Sequence, residues 1–187
     1  MKLANEIQKG LIDFARGHAY DIVLCNFYFG SYEMDLFKLN DKGWITEYEI
    51  KVSRADFKKD FEKSRKRFVW DSEEQRKYHY EKLNKHDELI RGECRPNRFY
   101  FVVPRDLITV AEVPAHCGLI YYDGNFSIVK TAKLLHKNKQ PEKIYKDICR
   151  SMAFRELRWR NEVIRLRNWN KYLEEDLSNA LNRKQNV

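Results

Sequence analysis

Charged residues at alternate positions give one stretch of the sequence a clear capacity for chemistry. Glu33 and Asp35 are separated by a single residue, and Glu47, Glu49 and Lys51 repeat that spacing. Side chains two residues apart in a β-strand lie on the same face. Two neighbouring strands would therefore present several carboxylates and one ammonium group on a common face.

Such a face is suited to binding a hard metal ion. Asp35 and Glu49 would repel each other unless a cation lies between them. Mg²⁺ and Mn²⁺ bind carboxylates, water and the phosphate oxygens of a substrate. The bound ion stabilises negative charge on the phosphate and lowers the pKa of its bound water. Lys51 could orient that water or stabilise the developing charge. The alternative is a solvated strand face with cross-strand ion pairs, and the spacing alone does not separate the two.

Hydrophobic patterns predict the elements that position these residues. Residues 3–15 have apolar side chains at helical spacing, and apolar or aromatic runs predict strands at residues 20–28, 31–39 and 44–52. A turn cluster at residues 40–43 predicts that the second and third strands form a hairpin. The residues expected on the opposite face of the third strand, packed against a helix, are Thr46, Tyr48, Ile50 and Val52.

The later patterns complete a mixed α/β fold. Residues 55–93 are strongly charged with interspersed aromatic residues, which favours one or two helices with a break near Asp71 and Ser72. The apolar run at residues 98–103 is typical of a central strand covered on both faces. The remaining predicted elements are strands at residues 118–122 and 126–130 around an Asp123-Gly124 turn, and a helix from Pro141 to about Leu181.

Composition favours a nucleic-acid partner. The 187 residues include 36 Lys and Arg against 28 Asp and Glu, a formal charge of +8, which suits phosphate contacts; a basic protein with no such partner is the alternative. The sequence has no apolar run of the length that a membrane span needs and no signal-peptide core near its start. These features predict a cytoplasmic protein with reduced cysteines and no membrane partner.

The histidines and cysteines raise a second metal hypothesis. A zinc site could draw on His79, His86, Cys94, His116 and Cys117, but their spacings match no closed zinc pattern. Cysteines packed as small hydrophobic residues are the favoured interpretation. His79 and His86 would share a face of the predicted charged helix, where exposed surface is the favoured interpretation.

The motifs resemble a known nuclease family. Glu33-Met34-Asp35, followed by the segment from Glu49 to Phe57 (EIKVSRADF), resembles the PD-(D/E)XK nuclease superfamily and, more narrowly, the MmcB-like DNA-repair proteins and their phage relatives. The similarity continues at residues 98–104 (RFYFVVP) and at Gly118-Leu119-Ile120 followed by Asp123-Gly124, so it covers about residues 3–131.

The resemblance implies a restriction-endonuclease-like core in αβββαβ order, with a mixed central sheet flanked by helices. It also implies a protein from a bacterial or phage-infected cell. Asp35 and Glu49 would bind Mg²⁺ or Mn²⁺, and Lys51 would assist catalysis. Glu6 on the first helix is the matching candidate for a further carboxylate ligand, and Glu33 is a second supporting acid. The predicted domains are residues 1–131, with a charged helical insertion at about 62–96, and an Arg-rich helical extension at 141–182.

Basic residues that follow Lys51 in the sequence predict contacts with the DNA backbone. Such contacts position a protein on DNA without recognising the base sequence. The alternative is that these residues form an ordinary solvated helix face. The DNA-binding candidates are Ser53, Arg54, Lys58, Lys59, Lys63, Lys66 and Arg67. The C-terminal helix has an apolar stripe, which favours packing on its own domain or a homodimer over base stacking. The stripe consists of Trp159, Val163, Leu166, Trp169, Leu173 and Leu177.

The sequence therefore predicts a Mg²⁺- or Mn²⁺-dependent deoxyribonuclease, an endonuclease acting in DNA repair, recombination or phage DNA processing. A catalytically inactive DNA-binding or repair-scaffold protein with the same fold is the alternative. A third interpretation keeps the same site but assigns it to an RNA-processing nuclease.

Overall fold

The computed structural model describes residues 2–29, 32–72, 77–93, 96–139 and 142–185. The chain forms two compact units, Met1–Pro141 and Glu142–Val187. Gly30, expected to end the first strand, and Pro141, expected in the first turn of the last helix, lie outside the described residues.

The first unit contains three helices and eight strands among its described residues. In chain order these are α1 (Lys2–Ala15), β1 (Ile22–Phe29), β2 (Tyr32–Leu39), β3 (Ile45–Ile50), α2 (Arg54–Asp60), β4 (Ser64–Ser72), β5 (Lys77–Asn84), α3 (Lys85–Arg91), β6 (Arg98–Pro104), β7 (Gly118–Tyr122) and β8 (Phe126–Lys130). A 3₁₀ helix, Val110–Glu112, lies between β6 and β7.

Six strands form one mixed sheet in the order β1-β2-β3-β6-β7-β8. The predicted β2–β3 hairpin is confirmed, with Leu39 opposite Ile45 across the turn. β6 lies parallel to both β3 and β7, whereas the outer pairs are antiparallel. The prediction that β6 is covered on both faces is also confirmed, because Phe99 through Val103 are all buried. The α/β class and the mixed sheet follow from this topology.

Helix α1 covers one face of the sheet. Its Ile7, Leu11 and Ala15 pack in a core cluster with Tyr48 and Ile50 of β3. Tyr48 also stacks on Tyr100 of β6, with ring centroids 5.7 Å apart. The apolar face predicted for β3 therefore packs against a helix as expected, which leaves the alternate positions of that strand on the opposite face.

The opposite face lies beneath α2 and α3. Phe57 of α2 and Leu89 of α3 join a second core cluster with Phe99 and Phe101 of β6. Ser53 begins α2, since its hydroxyl accepts a hydrogen bond from the Asp56 backbone N–H at 3.2 Å. These two short helices cover the face on which the charged residues of β3 lie.

The helical prediction for residues 55–93 is wrong between the two helices. Helix α2 ends at Asp60, and β4 and β5 pair as a separate antiparallel two-stranded sheet. Phe68 faces Tyr80 across this hairpin with ring centroids 5.8 Å apart, and Arg67 pairs with Glu81. Such cross-strand aromatic and charge pairs stabilise a β-hairpin. The insertion at 62–96 is thus mainly a β-hairpin followed by α3.

The second unit is the long helix α4 (Lys143–Gln185). Exposed pairs at helical spacing, Arg160 with Glu156 and Arg165 with Glu162, lie along it. Of the predicted stripe, Trp159, Leu166, Trp169, Leu173 and Leu177 are exposed in the single chain. No helix among the described residues is long and apolar enough to cross a membrane.

Gly118 allows the close approach of β7 to β6. A Cβ atom at this position would lie 2.3 Å from Cδ1 of Tyr100 and 2.7 Å from the backbone nitrogen of Ala132. We expect Gly118→Ala to destabilise the protein by about 1–3 kcal/mol through overpacking, measured by urea unfolding. The control is Gly17→Ala, because a Cβ atom at Gly17 would lie 3.4 Å from its nearest neighbours, at ordinary van der Waals distance. Equal stability of the two variants would contradict this account of the packing.

Candidate active site

The hairpin register brings Asp35 and Glu49 together. Leu36 pairs with Tyr48 and Phe37 with Glu47, so the same register places Asp35 opposite Glu49. Asp35 Oδ2 accepts a hydrogen bond from the Ile50 backbone N–H at 2.7 Å. Burial, and then the charge of Glu49, raise the pKa of Asp35 to about 6. Two carboxylates therefore converge on the face that α2 and α3 cover.

Lys51 lies beside this pair and is held by carboxylates. Its Nζ atom is 3.2 Å from Glu49 Oε1 and 2.9 Å from Asp60 Oδ1. Burial opposes the charge on Lys51, but Glu49 and Asp60 outweigh that effect and hold the pKa of Lys51 above its ordinary value. Lys51 therefore lies as an ammonium group between two carboxylates.

Two further lysines and one acid complete a buried charge cluster. Lys63 pairs with Glu49 and lies 2.7 Å from Asp60 Oδ1. Lys85, only 1% exposed, is 2.6 Å from Glu47 Oε1 and 3.6 Å from Glu49 Oε2. We call the set the charge cluster; it consists of Asp35, Glu47, Glu49 and Asp60 with Lys51, Lys63 and Lys85.

Sequence reasoning missed Asp60 and Lys85 as parts of this site. Asp60 ends α2 and Lys85 begins α3, so both enter the cluster through the packing of helices across the sheet. Lys63 was expected on an exposed helix face, but it turns its ammonium group into the cluster. One local signal was present: the side chain of Asn84 accepts hydrogen bonds from the His86 and Asp87 N–H groups, and an Asn at this point is typical of a helix start.

The acids of the cluster fit a hard divalent cation. Glu49 Oε2 is buried and accepts no hydrogen bond from any residue that the structure describes. Asp35 is half-buried, and burial and the charge of Glu49 both raise its pKa. Carboxylate oxygens in this state suit Mg²⁺ or Mn²⁺. Asp35 and Glu49 are the residues that would hold such an ion.

The two supporting acids predicted from the sequence lie elsewhere. Glu6 is on α1, on the other face of the sheet, where its Oε1 accepts a hydrogen bond from the Tyr122 hydroxyl at 2.7 Å. Glu33 is exposed on β2, and its hydrogen bond with Tyr28 raises the pKa of that phenol. The structure does not bring Glu6 to the charge cluster, and it gives Glu33 a different partner.

The basic candidates divide between two elements and do not lie on one helix. Lys58 and Lys59 are exposed on α2, whereas Lys66 and Arg67 are exposed on β4. Arg67 pairs with Glu81 at 2.6 Å. The predicted single basic helix face is therefore wrong, because the chain leaves the helix before Lys63.

The remaining two candidates have structural partners. Ser53 is the N-cap of α2, as described above. Arg54 donates a hydrogen bond to the backbone oxygen of Leu107 at 2.7 Å and pairs with Glu112. These contacts fix the start of α2 to the segment after β6.

Three residues of the zinc hypothesis come together. His86, His116 and Cys117 are buried, and their donor atoms lie within 4.8 Å of one another. His79 is exposed on β5, so the expectation that it shares a helix face with His86 is wrong. Cys94 lies outside the described residues.

Fold and site together define an α/β protein with a mixed six-stranded sheet and a buried charge cluster on one face. No protein-family model matches the sequence, and no curated protein matches it. Among solved structures, the chain is similar to the SPO1766 protein of unknown function from Silicibacter pomeroyi. The match has a TM-score of 0.55 and 21% identity, and it covers 82% of this chain and 88% of that chain. At this identity the likeness concerns the fold alone.

Proposed function

We propose that this protein is a Mg²⁺- or Mn²⁺-dependent deoxyribonuclease with a restriction-endonuclease-like core. The observation that carries the proposal is the β2–β3 register, which sets Asp35 opposite Glu49 with Lys51 alongside. An acid on the second strand followed by Glu-x-Lys on the third is the arrangement that resemblance to PD-(D/E)XK nucleases implies. We further propose a role in DNA repair, recombination or phage DNA processing, on that resemblance.

Each residue of the site has a separate role in this proposal. A bound Mg²⁺ or Mn²⁺ ion supplies charge stabilisation at the attacked phosphate and a more acidic water. Asp35 and Glu49 hold the ion, and the hydrogen bond from Ile50 fixes the orientation of the Asp35 carboxylate. Lys51 donates hydrogen bonds toward the phosphate or the attacking water, and Asp60 holds its ammonium group in place.

Exposed basic residues near the cluster support a nucleic-acid substrate. Lys58 and Lys59 lie on α2, the helix that also supplies Asp60, and the chain as a whole has a formal charge of +8. Contacts of lysines with phosphates give salt-dependent binding without sequence reading. Binding to the DNA backbone without sequence recognition suits an enzyme that hydrolyses phosphodiester bonds.

The test is a cleavage assay with the metal and the substrate varied separately. Supercoiled, linear, branched and single-stranded DNA are incubated with Mg²⁺, Mn²⁺ or a chelator, and RNA is added as a competitor. We expect nicking or cutting of at least one DNA form that requires the added ion and stops with chelator. RNA cleaved in preference to every DNA form would instead assign the site to RNA processing.

A non-catalytic DNA-binding protein is the second candidate, and one observation favours it. Lys63 and Lys85 already neutralise Glu49, the carboxylate that would hold the metal ion. Such lysines can stabilise buried acids with no ion present. Salt-dependent DNA binding, without cleavage of any substrate and without Mn²⁺ uptake, would support this candidate over the nuclease.

A further inference from the structure

A second buried cluster, separate from the Asp35 and Glu49 pair, consists of two imidazoles and a thiol. His86 is the second residue of α3, and His116 and Cys117 directly precede β7. His86 Nδ1 is 3.0 Å from Nε2 of His116 and 3.9 Å from Sγ of Cys117. All three side chains belong to the interior, with Cys117 completely buried.

We propose that this cluster binds one Zn²⁺ ion through His86 Nδ1, His116 Nε2 and Cys117 Sγ, with water in the fourth position. This inference does not rest on the proposed nuclease function. In a tetrahedral zinc site, two nitrogen ligands that each lie about 2.0–2.1 Å from the ion are about 3.3 Å from each other. A nitrogen ligand and a thiolate sulfur ligand are about 3.6 Å from each other. The observed separations of 3.0 Å and 3.9 Å each differ from these values by about 0.3 Å.

Asp60 orients His86 for this role. Its Oδ2 atom lies 2.9 Å from His86 Nε2. Its other oxygen, Oδ1, lies 2.9 Å from the Lys51 ammonium group and 2.7 Å from that of Lys63, and these two positive charges favour the ionised carboxylate. An ionised carboxylate only accepts hydrogen bonds, so His86 carries its proton on Nε2 and directs the Nδ1 lone pair at His116 and Cys117. A carboxylate behind a ligand histidine is a recurring feature of zinc sites.

The surroundings keep the donor atoms in place and favour zinc over magnesium. The ring of His86 packs against those of Phe61 and Phe101, with centroids 4.6 Å and 5.9 Å away. Imidazole nitrogens and a thiolate suit Zn²⁺, whereas Mg²⁺ prefers oxygen ligands. On binding, the Cys117 thiol releases its proton to solvent and its sulfur forms the bond to the ion. The ion would tie α3 to the start of β7.

The first experiment measures metal uptake by the full chain. Protein stripped with chelator is loaded with Zn²⁺, dialysed and analysed by mass spectrometry, and a second sample is loaded with Co²⁺. We expect one equivalent of zinc, and a thiolate-to-cobalt charge-transfer absorption that reports the Cys117 bond. Absence of that absorption from the wild-type protein would overturn the proposed site, whatever the behaviour of the variants.

Matched variants then locate the ion. We expect His116→Ala and Cys117→Ser each to lower zinc affinity at least about 100-fold. The exposed residues His79 and Cys149 provide the controls His79→Ala and Cys149→Ser, which should bind zinc as the wild type does. Asp35→Asn should also keep its zinc, so that failure of the nuclease proposal and failure of this one are distinguishable. Unchanged affinity in a folded Cys117→Ser protein would refute the assignment.

Discussion

Asp35→Asn and Lys51→Met are each expected to lower the rate of metal-dependent DNA cleavage by at least about 10²-fold. Asparagine keeps an oxygen that can accept the 2.7 Å hydrogen bond from Ile50, so the Asp35 variant loses charge while its backbone contact remains. Methionine removes the Lys51 ammonium group but fills much of its volume. Both effects should appear in the rate at saturating Mg²⁺.

The hairpin that carries these residues also supplies the controls. Asp41 and Lys42 are exposed in the turn between β2 and β3. Asp41→Asn and Lys42→Met repeat the two chemical changes away from the charge cluster and should cleave at the wild-type rate. Circular dichroism and urea unfolding show whether each variant is folded. Full cleavage by folded Asp35→Asn and Lys51→Met proteins would show that Asp35 and Lys51 are not the catalytic residues.

Lys85→Met is expected to destabilise the protein by about 3–5 kcal/mol, the range for removing one partner of a buried ion pair. Lys85 is 1% exposed and lies 2.6 Å from Glu47, which is equally buried. Burial already raises the pKa of Glu47, and the ammonium group of Lys85 offsets part of that effect. Without Lys85, the Glu47 carboxylate would lose its nearest counter-charge.

The pH dependence of that variant has a definite sign. A carboxyl group whose pKa is raised in the folded state binds more protons folded than unfolded, so stability falls as pH rises from the unfolded pKa toward the folded one. The destabilisation by Lys85→Met should therefore be smaller in mildly acidic urea titrations than at neutral pH.

Two further variants check that origin. Adding Glu47→Gln should recover part of the lost stability, because it removes the uncompensated charge. Lys82→Met, at an exposed position on β5, should change stability by no more than about 0.5 kcal/mol. A Lys85→Met protein as stable as the Lys82→Met protein would mean that the Lys85 ion pairs make no net contribution.

Site residues that are positioned by a local sequence pattern were predictable from the sequence. Site residues that are positioned by the packing of distant elements were not. Alternation in β2 and β3 and the turn between them were enough to predict that Asp35 and Glu49 converge. Asp60 and Lys85 join the site only because α2 and α3 pack across the sheet, and no spacing in the sequence encodes that packing. His116 and Cys117 were recognised as donors, but their meeting with His86 required the three-dimensional arrangement.

The missed hairpin has a different cause. Several basic residues in β4 and β5 give this segment a charge density typical of an exposed helix, although aromatic residues lie between them. Phe68 and Tyr80 face each other across the two strands, and Arg67 faces Glu81. These partners lie more than ten residues apart in the chain, outside the window in which a helical period is judged. The pairing depends on residues from two separate segments, which a periodicity within one segment does not reveal.

The parallel pairing of β3 with β6 has a consequence for the order in which the chain folds. β2 and β3 meet through a short turn, so this hairpin can form early, whereas β6 reaches β3 only after the whole intervening segment has been looped out. The Lys51 backbone N–H donates its hydrogen bond to Val102 of β6 at 3.0 Å. Lys51 is therefore held beside Glu49 by a long-range strand pairing, whereas Asp35 and Glu49 are brought together by a local hairpin.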